Sequence, residues 1–206
     1  MQQQSVYNNP TKIRSRELNL ERYQQITGNS RLPRGQVYAT LCGVQELDPN
    51  SEVCQVLGSG FAKFDQFVGV DSSKEIIEQN RQLFPRSKWI AGRWKSVLKT
   101  LDAVIGIAYV DTCYLGDNPK MVEDVLAAMR LSRPGTVIFA KAITGSRGLW
   151  AKSRAGRPVD DSYLIEALAK RIRAEELGKW DLRAGEHVYR NPNRNLMLTR
   201  AFVRKA

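Results

Sequence analysis

The sequence holds a single histidine, His187, and three cysteines among 206 residues. Cys42, Cys54 and Cys113 are odd in number, far apart and without a Cys-x-x-Cys pair, so neither a zinc site nor a disulfide framework is supported. They read instead as small apolar residues in a reducing compartment. No apolar run approaches the length of a membrane span, and the polar start Met1-Gln2-Gln3-Gln4 lacks the apolar stretch of a secretory signal. A soluble, cytoplasmic protein with no membrane partner is expected. Acidic residues are scarce beside basic ones, 21 against 32, for a formal net charge of +11. That balance points to a polyanion, above all nucleic acid (DNA or RNA), with an anionic surface or plain solubilisation as the alternatives. Also missing is any Gly-x-Gly-x-x-Gly after the first predicted strand, which argues against a dinucleotide-dependent oxidoreductase.

What is present is a regular alternation of strand and helix signals. With 42% hydrophobic residues the chain can build a sizeable core, and its length suits one main domain. Residues 1–34 are expected to form a basic arm and a leading helix around Ile13, Leu20 and Tyr23, and residues 35–206 an α/β domain. Gln36 to Gly43 reads as the first strand, closed by a glycine suited to a sharp turn. Asp48-Pro49-Asn50-Ser51-Glu52 offers caps for a helix through Val53, Cys54, Val56 and Leu57. Phe67-Val68-Gly69-Val70-Asp71 is an apolar run that stops on an acid, followed by Ser72-Ser73 and a helical segment ending at Phe84-Pro85. Lys88 to Gly92 is a short third strand, and Ala103 to Asp111 a fourth that again ends on an acid. A helix starting near Asn118-Pro119 ends at Arg133-Pro134-Gly135, and Thr136 to Lys141 is the fifth strand. After a capped helix through Leu164, Ile165, Leu168 and Ile172, the segments His187–Arg190 and Leu196–Val203 flank a turn as a terminal antiparallel hairpin. The expected fold is therefore α/β, with a mostly parallel, doubly wound sheet and an antiparallel C-terminal edge.

In such a sheet, ligands bind at the carboxyl tips of the strands, and an acid there can accept both hydrogen bonds of a ribose diol. Asp71 stands at such a tip; as an alternative it serves only as a helix cap.

The order of elements, Gly43 at the turn after strand one, Gly69-Val70-Asp71 and Arg133-Pro134-Gly135-Thr136 before strand five resemble the class I S-adenosylmethionine-dependent methyltransferases, a Rossmann-like family. The resemblance spans about residues 35 to 205. It implies an S-adenosylmethionine cofactor held by Leu41, Cys42, Gly43, Asp71 and Ser72, with Arg93 and Trp94 near the adenine; Trp94 would stack on the base. The family's first motif is an acid followed by Gly-x-Gly-x-Gly, whereas Leu41-Cys42-Gly43-Val44-Gln45-Glu46 supplies one glycine and places its acids later. Asp111-Thr112-Cys113-Tyr114 resembles the Asp-Pro-Pro-Tyr loop of amino-directed nucleic-acid methyltransferases, in which an acceptor and an aromatic ring hold a flipped base. Asp111 and Lys141 also match half of the Lys-Asp-Lys-Glu set of ribose methyltransferases, with Glu186 as a candidate fourth member. Asp111, Tyr114 and Lys141 are thus the catalytic candidates.

Two function classes follow. One is a methyltransferase acting on DNA or RNA; the other is an inactive protein of the same fold that binds nucleic acid or serves in assembly. Both use the basic segment after strand five, where Arg147, Lys152, Arg154 and Arg157 flank Trp150 and are suited to grip phosphates while the ring stacks on a base. Arg14 and Arg16 would extend that path from the leading helix.

Overall fold

The computed structural model describes residues 10–115, 118–145, 162–190 and 196–206. Seven strands form one sheet: β1 (Gln36–Leu41), β2 (Phe67–Asp71), β3 (Lys88–Ala91), β4 (Val104–Leu115), β5 (Ser132–Gly145), β6 (Trp180–Arg190) and β7 (Leu196–Arg204). Their spatial order is β3-β2-β1-β4-β5-β7-β6. The pairs from β3 to β5 are parallel, while β7 runs antiparallel to both β5 and β6. The expected terminal hairpin is present, and β6 begins at Trp180, well before His187.

The helices are α1 (Pro10–Thr27), α2 (Glu52–Gly58), α3 (Lys74–Leu83), α4 (Trp94–Thr100), α5 (Pro119–Arg130) and α6 (Ser162–Ala174). Ser51 caps α2 and Ser73 caps α3, each through a side chain that accepts a backbone N–H of the first turn. Asn118 caps α5, and Pro119 opens it, where its missing N–H costs nothing. Helix α4 was not legible: seven residues with two lysines and no side-chain cap leave little periodic signal. Gly69 is a packing requirement, because a Cβ there would collide with the Trp89 ring.

The two faces of the sheet are covered differently. On one face, α4, α5 and α6 pack an almost wholly aliphatic core that includes Ala39, Val68, Val70, Val110, Ile138, Leu126 and Met129. On the other, α1, α2 and α3 cover Tyr38, Phe67, Phe84, Trp89, Tyr109 and Phe139. Tyr23 of α1 stands edge-on to Phe61 at 5.1 Å, and Ser15, Arg16 and Asn19 of the same helix are buried. Because side chains alternate along a strand, Asp71, Asp111 and Lys141 continue the aromatic face beyond Phe67, Tyr109 and Phe139.

Candidate functional site

A cleft of about 920 Å³ opens at the carboxyl ends of β1, β2 and β4, large enough for a nucleoside-sized ligand. It gathers Leu41, Cys42, Gly43, Asp71, Ser72, Arg93, Trp94 and Asp111, drawn from four separate stretches of sequence. Asp71 takes a single internal hydrogen bond, from the Ser73 N–H to Oδ1 at 2.9 Å, and its carboxylate lines the cleft. Gly43 turns with φ 54, a left-handed conformation that a side chain would strain.

The loop after β1 carries one glycine and is held by two buried amides. The Asn80 side chain of α3 accepts the Gln45 N–H at 2.8 Å and donates to the Gly43 carbonyl at 2.9 Å. The Gln45 side chain donates to the Cys42 carbonyl at 2.5 Å and accepts the Val53 N–H at 3.3 Å. Neither residue carried a recognisable motif in the sequence. Burial, with the Asp71 and Glu52 charges, pushes the Cys42 thiol far above its ordinary range, so Cys42 shapes the wall and is no nucleophile.

Glu52 is a further residue that sequence reasoning did not select. It is 2% exposed, accepts the Tyr38 hydroxyl at 2.7 Å and lies 4.0 Å from Arg16, yet it lines the cleft. Lys12 and Arg16 bring α1 into the same wall. Arg16 is therefore not a surface cation on a nucleic-acid path; it is buried and donates to the Asn50 carbonyl. Arg14 is exposed but bonded to Glu17 and Glu21.

At the opposite wall, Trp94 opens α4 at 3% exposure and donates its indole N–H to the Asp124 carbonyl. A ring so buried forms a wall of the cleft and does not stand free for stacking. Asp124 lines the cleft beside it, and burial raises its carboxyl to about 6 against the opposing pull of Lys95. Lys95 itself bridges α4 to Glu123 of α5, which also receives Arg171.

Asp111 and Lys141 are direct neighbours across β4 and β5, and the Lys141 ammonium donates to Asp111 Oδ2. Lys141 is 2% exposed. Burial opposes its charge, but Tyr109, Asp111 and Tyr189 around it hold its pKa well above the ordinary lysine range. The same register extends the row to Thr199 of β7 and His187 of β6. Glu186 falls on the other face, half exposed and paired with Arg200, so it does not complete a tetrad with Asp111 and Lys141. Tyr114 lies in β4, its side chain outside the described ones, and Arg147, Trp150, Lys152, Arg154 and Arg157 also lie outside the described residues. Among the described residues no His, Cys, Asp and Glu group is placed to hold a metal, and no helix is long and apolar enough to cross a membrane.

No protein-family model matches the sequence, and no curated protein does. Solved structures do. A plantazolicin methyltransferase, BamL, solved with a triazolic desmethylPZN analog and S-adenosylhomocysteine (SAH), superposes with a TM-score of 0.61 at 14% identity, over 98% of this chain and 86% of its own. The N-methyltransferase NodS from Bradyrhizobium japonicum gives 0.55 at 15% identity over 97% and 99%. An rRNA methylase from Streptococcus thermophilus gives 0.51 at 9% identity over 92% and 95%. Identities this low speak to architecture, and the architecture is unambiguous: the chain has the class I methyltransferase fold.

Proposed function

We propose that the protein is an S-adenosylmethionine-dependent methyltransferase acting on nucleic acid. The observation that carries this reading is the convergence of Gly43, Asp71 and Asp111 on one cleft at the carboxyl edge of the parallel sheet. The donor set fits the cofactor. Asp71 presents a carboxylate suited to a ribose diol, while buried Glu52 and Arg16 offer opposite charges complementary to an ammonium and a carboxylate at an amino-acid end. Gly43 allows close backbone approach. When bound, the cofactor supplies a methyl group on a sulfonium. The chain's own task is to bind, orient the acceptor in line and exclude water.

The Lys141–Asp111 pair favours a hydroxyl acceptor over an exocyclic amine. A carboxylate already bonded by an ammonium has less acceptor capacity left for an amine, whereas the ammonium can orient a hydroxyl and Asp111 can accept its proton. The net charge of +11 supports a polyanionic substrate. The second reading, a binding or assembly module without turnover, is favoured by the single-glycine loop.

Calorimetric titration with SAH separates the two. Saturable heat is expected, and Asp71→Ala weakens binding by about 1.5–3 kcal/mol for each charge-assisted bond lost. No heat in the wild type at millimolar ligand removes the enzyme reading. Where heat is seen, methyl transfer from labelled cofactor to RNA and to DNA, followed by digestion to nucleosides, tells ribose from base.

A further inference from the structure

The row Asp111, Lys141, Thr199, His187 is covered by α1, and its polar groups do not all meet. The Lys141 ammonium has three protons and, among the described residues, one hydrogen-bond acceptor, Asp111, with the Tyr109 and Tyr189 ring centroids at 5.6 and 5.8 Å. At the far end, Ser15 of α1 and Nε2 of His187 share a hydrogen bond of 2.9 Å. Between them sits the Tyr189 hydroxyl, sealed from solvent and without a hydrogen-bond partner. Burial raises its pKa and Lys141 and Ser15 beside it oppose that rise, yet neither meets it in hydrogen-bond geometry. Thr199 is the cross-strand neighbour of both Lys141 and His187 and is 1% exposed; its Oγ1 is likewise unpartnered. Asn19, one helical turn beyond Ser15 and 5% exposed, leaves Oδ1 unpartnered.

Three orphaned polar atoms and a buried ammonium with protons to spare have one economical solution. We propose an enclosed hydration site between α1 and strands β5, β7 and β6, in which one or two water molecules bridge Lys141 to the Tyr189 hydroxyl and on to the Ser15–His187 pair. Water bridges of this kind satisfy buried polar groups that cannot reach each other, and a site with several convergent donors and acceptors retains them. Tyr189 is then a positioning residue: through water it fixes the direction of the Lys141 ammonium, and so the oxygen of Asp111 that remains turned to the cleft. Both ends of the line are steady at neutral pH. Lys141 stays charged, and His187, half-buried near Arg22 and Lys141, is lowered to about 4 and stays neutral.

The site is independent of methyl transfer and is tested without it. A high-resolution crystal structure is expected to hold an ordered water within hydrogen-bond distance of the Tyr189 hydroxyl and of Lys141 or Ser15. Tyr189→Phe and Thr199→Val each remove one bridged hydroxyl and should lower Tm by about 2–4 °C, the shift for one lost hydrogen bond in a chain of this size. Nitrogen-detected NMR of the Lys141 ammonium should show its protons exchanging faster with solvent in Tyr189→Phe, a change that loss of packing elsewhere would not produce. A dry pocket, with Tm unchanged or raised in both variants because an unsatisfied hydroxyl has been removed, overturns the proposal.

Discussion

The two faces of the sheet are built from the same strands and do different work. Behind α4, α5 and α6 the core is almost wholly aliphatic, few of its side chains have hydrogen bonds to satisfy, and it borders the site at Leu41 and at Trp94, which closes one wall. Under α1, α2 and α3 the core is aromatic, and its outermost positions become Cys42, Asp71, Asp111 and Lys141. Alternation along a strand makes this division unavoidable: once Tyr109 and Phe139 face α1, Asp111 and Lys141 must follow. The lesson is that one face carries stability at little chemical risk, while the other accepts buried charge and unsatisfied hydroxyls to carry chemistry.

The comparison breaks most visibly if Asp111 is removed. Asp111→Ala leaves the Lys141 ammonium buried and unpaired, at a cost of about 3–5 kcal/mol in denaturant unfolding. Adding Lys141→Met should recover most of that loss, because the pair as a whole stabilises little. On the aliphatic face, Leu126→Ala should cost about 2–5 kcal/mol through a cavity, with no second-site charge change able to rescue it. Equal rescue on both faces would erase the distinction.

A smaller effect sharpens it within the site. Asn80→Ala strips the Gln45 N–H and the Gly43 carbonyl of their partners and should cost about 1–3 kcal/mol for each buried group left unsatisfied. It should also reduce the heat of SAH binding, although Asn80 does not line the cleft.

The smallest effects are pH-dependent, and the two faces contribute with opposite signs. His187, lowered from an ordinary 6.5 to about 4, binds protons more readily when unfolded; its contribution is present above about pH 6.5 and lost as pH falls towards 4. Asp124, raised from 3.8 to about 6, binds protons more readily when folded, so its contribution is present at low pH and lost as pH rises through about 6. Asp124→Asn should therefore stabilise more at pH 8 than at pH 4, and His187→Gln should flatten the acid side. Thermal melts across that range decide both.

Much of this was legible in the sequence because apolar runs that end on a charge are conspicuous. Asp71, Asp111 and Lys141 stood out for that reason, and the cleft or the ion pair beside it holds all three. Residues that act through tertiary placement gave no such mark. Glu52 looked like an ordinary first-turn acid, and only the fold brings Tyr38 and Arg16 to it. Arg16 looked like a surface charge because the helical period alone cannot tell which face of α1 meets the sheet. Glu186, expected just ahead of the hairpin, lies within β6, where one residue along the strand decides which face a side chain meets.

The amide brace from Asn80 has a consequence for how such a chain can vary. A glycine-rich loop is self-contained and can be exchanged as a short cassette. Here the loop after β1 borrows its rigidity from a helix 35 residues further on, so the two stretches form a single unit of inheritance. A recombinant that took α3 from another source would keep β2 and Asp71 in place and yet lose the shape of the loop facing it.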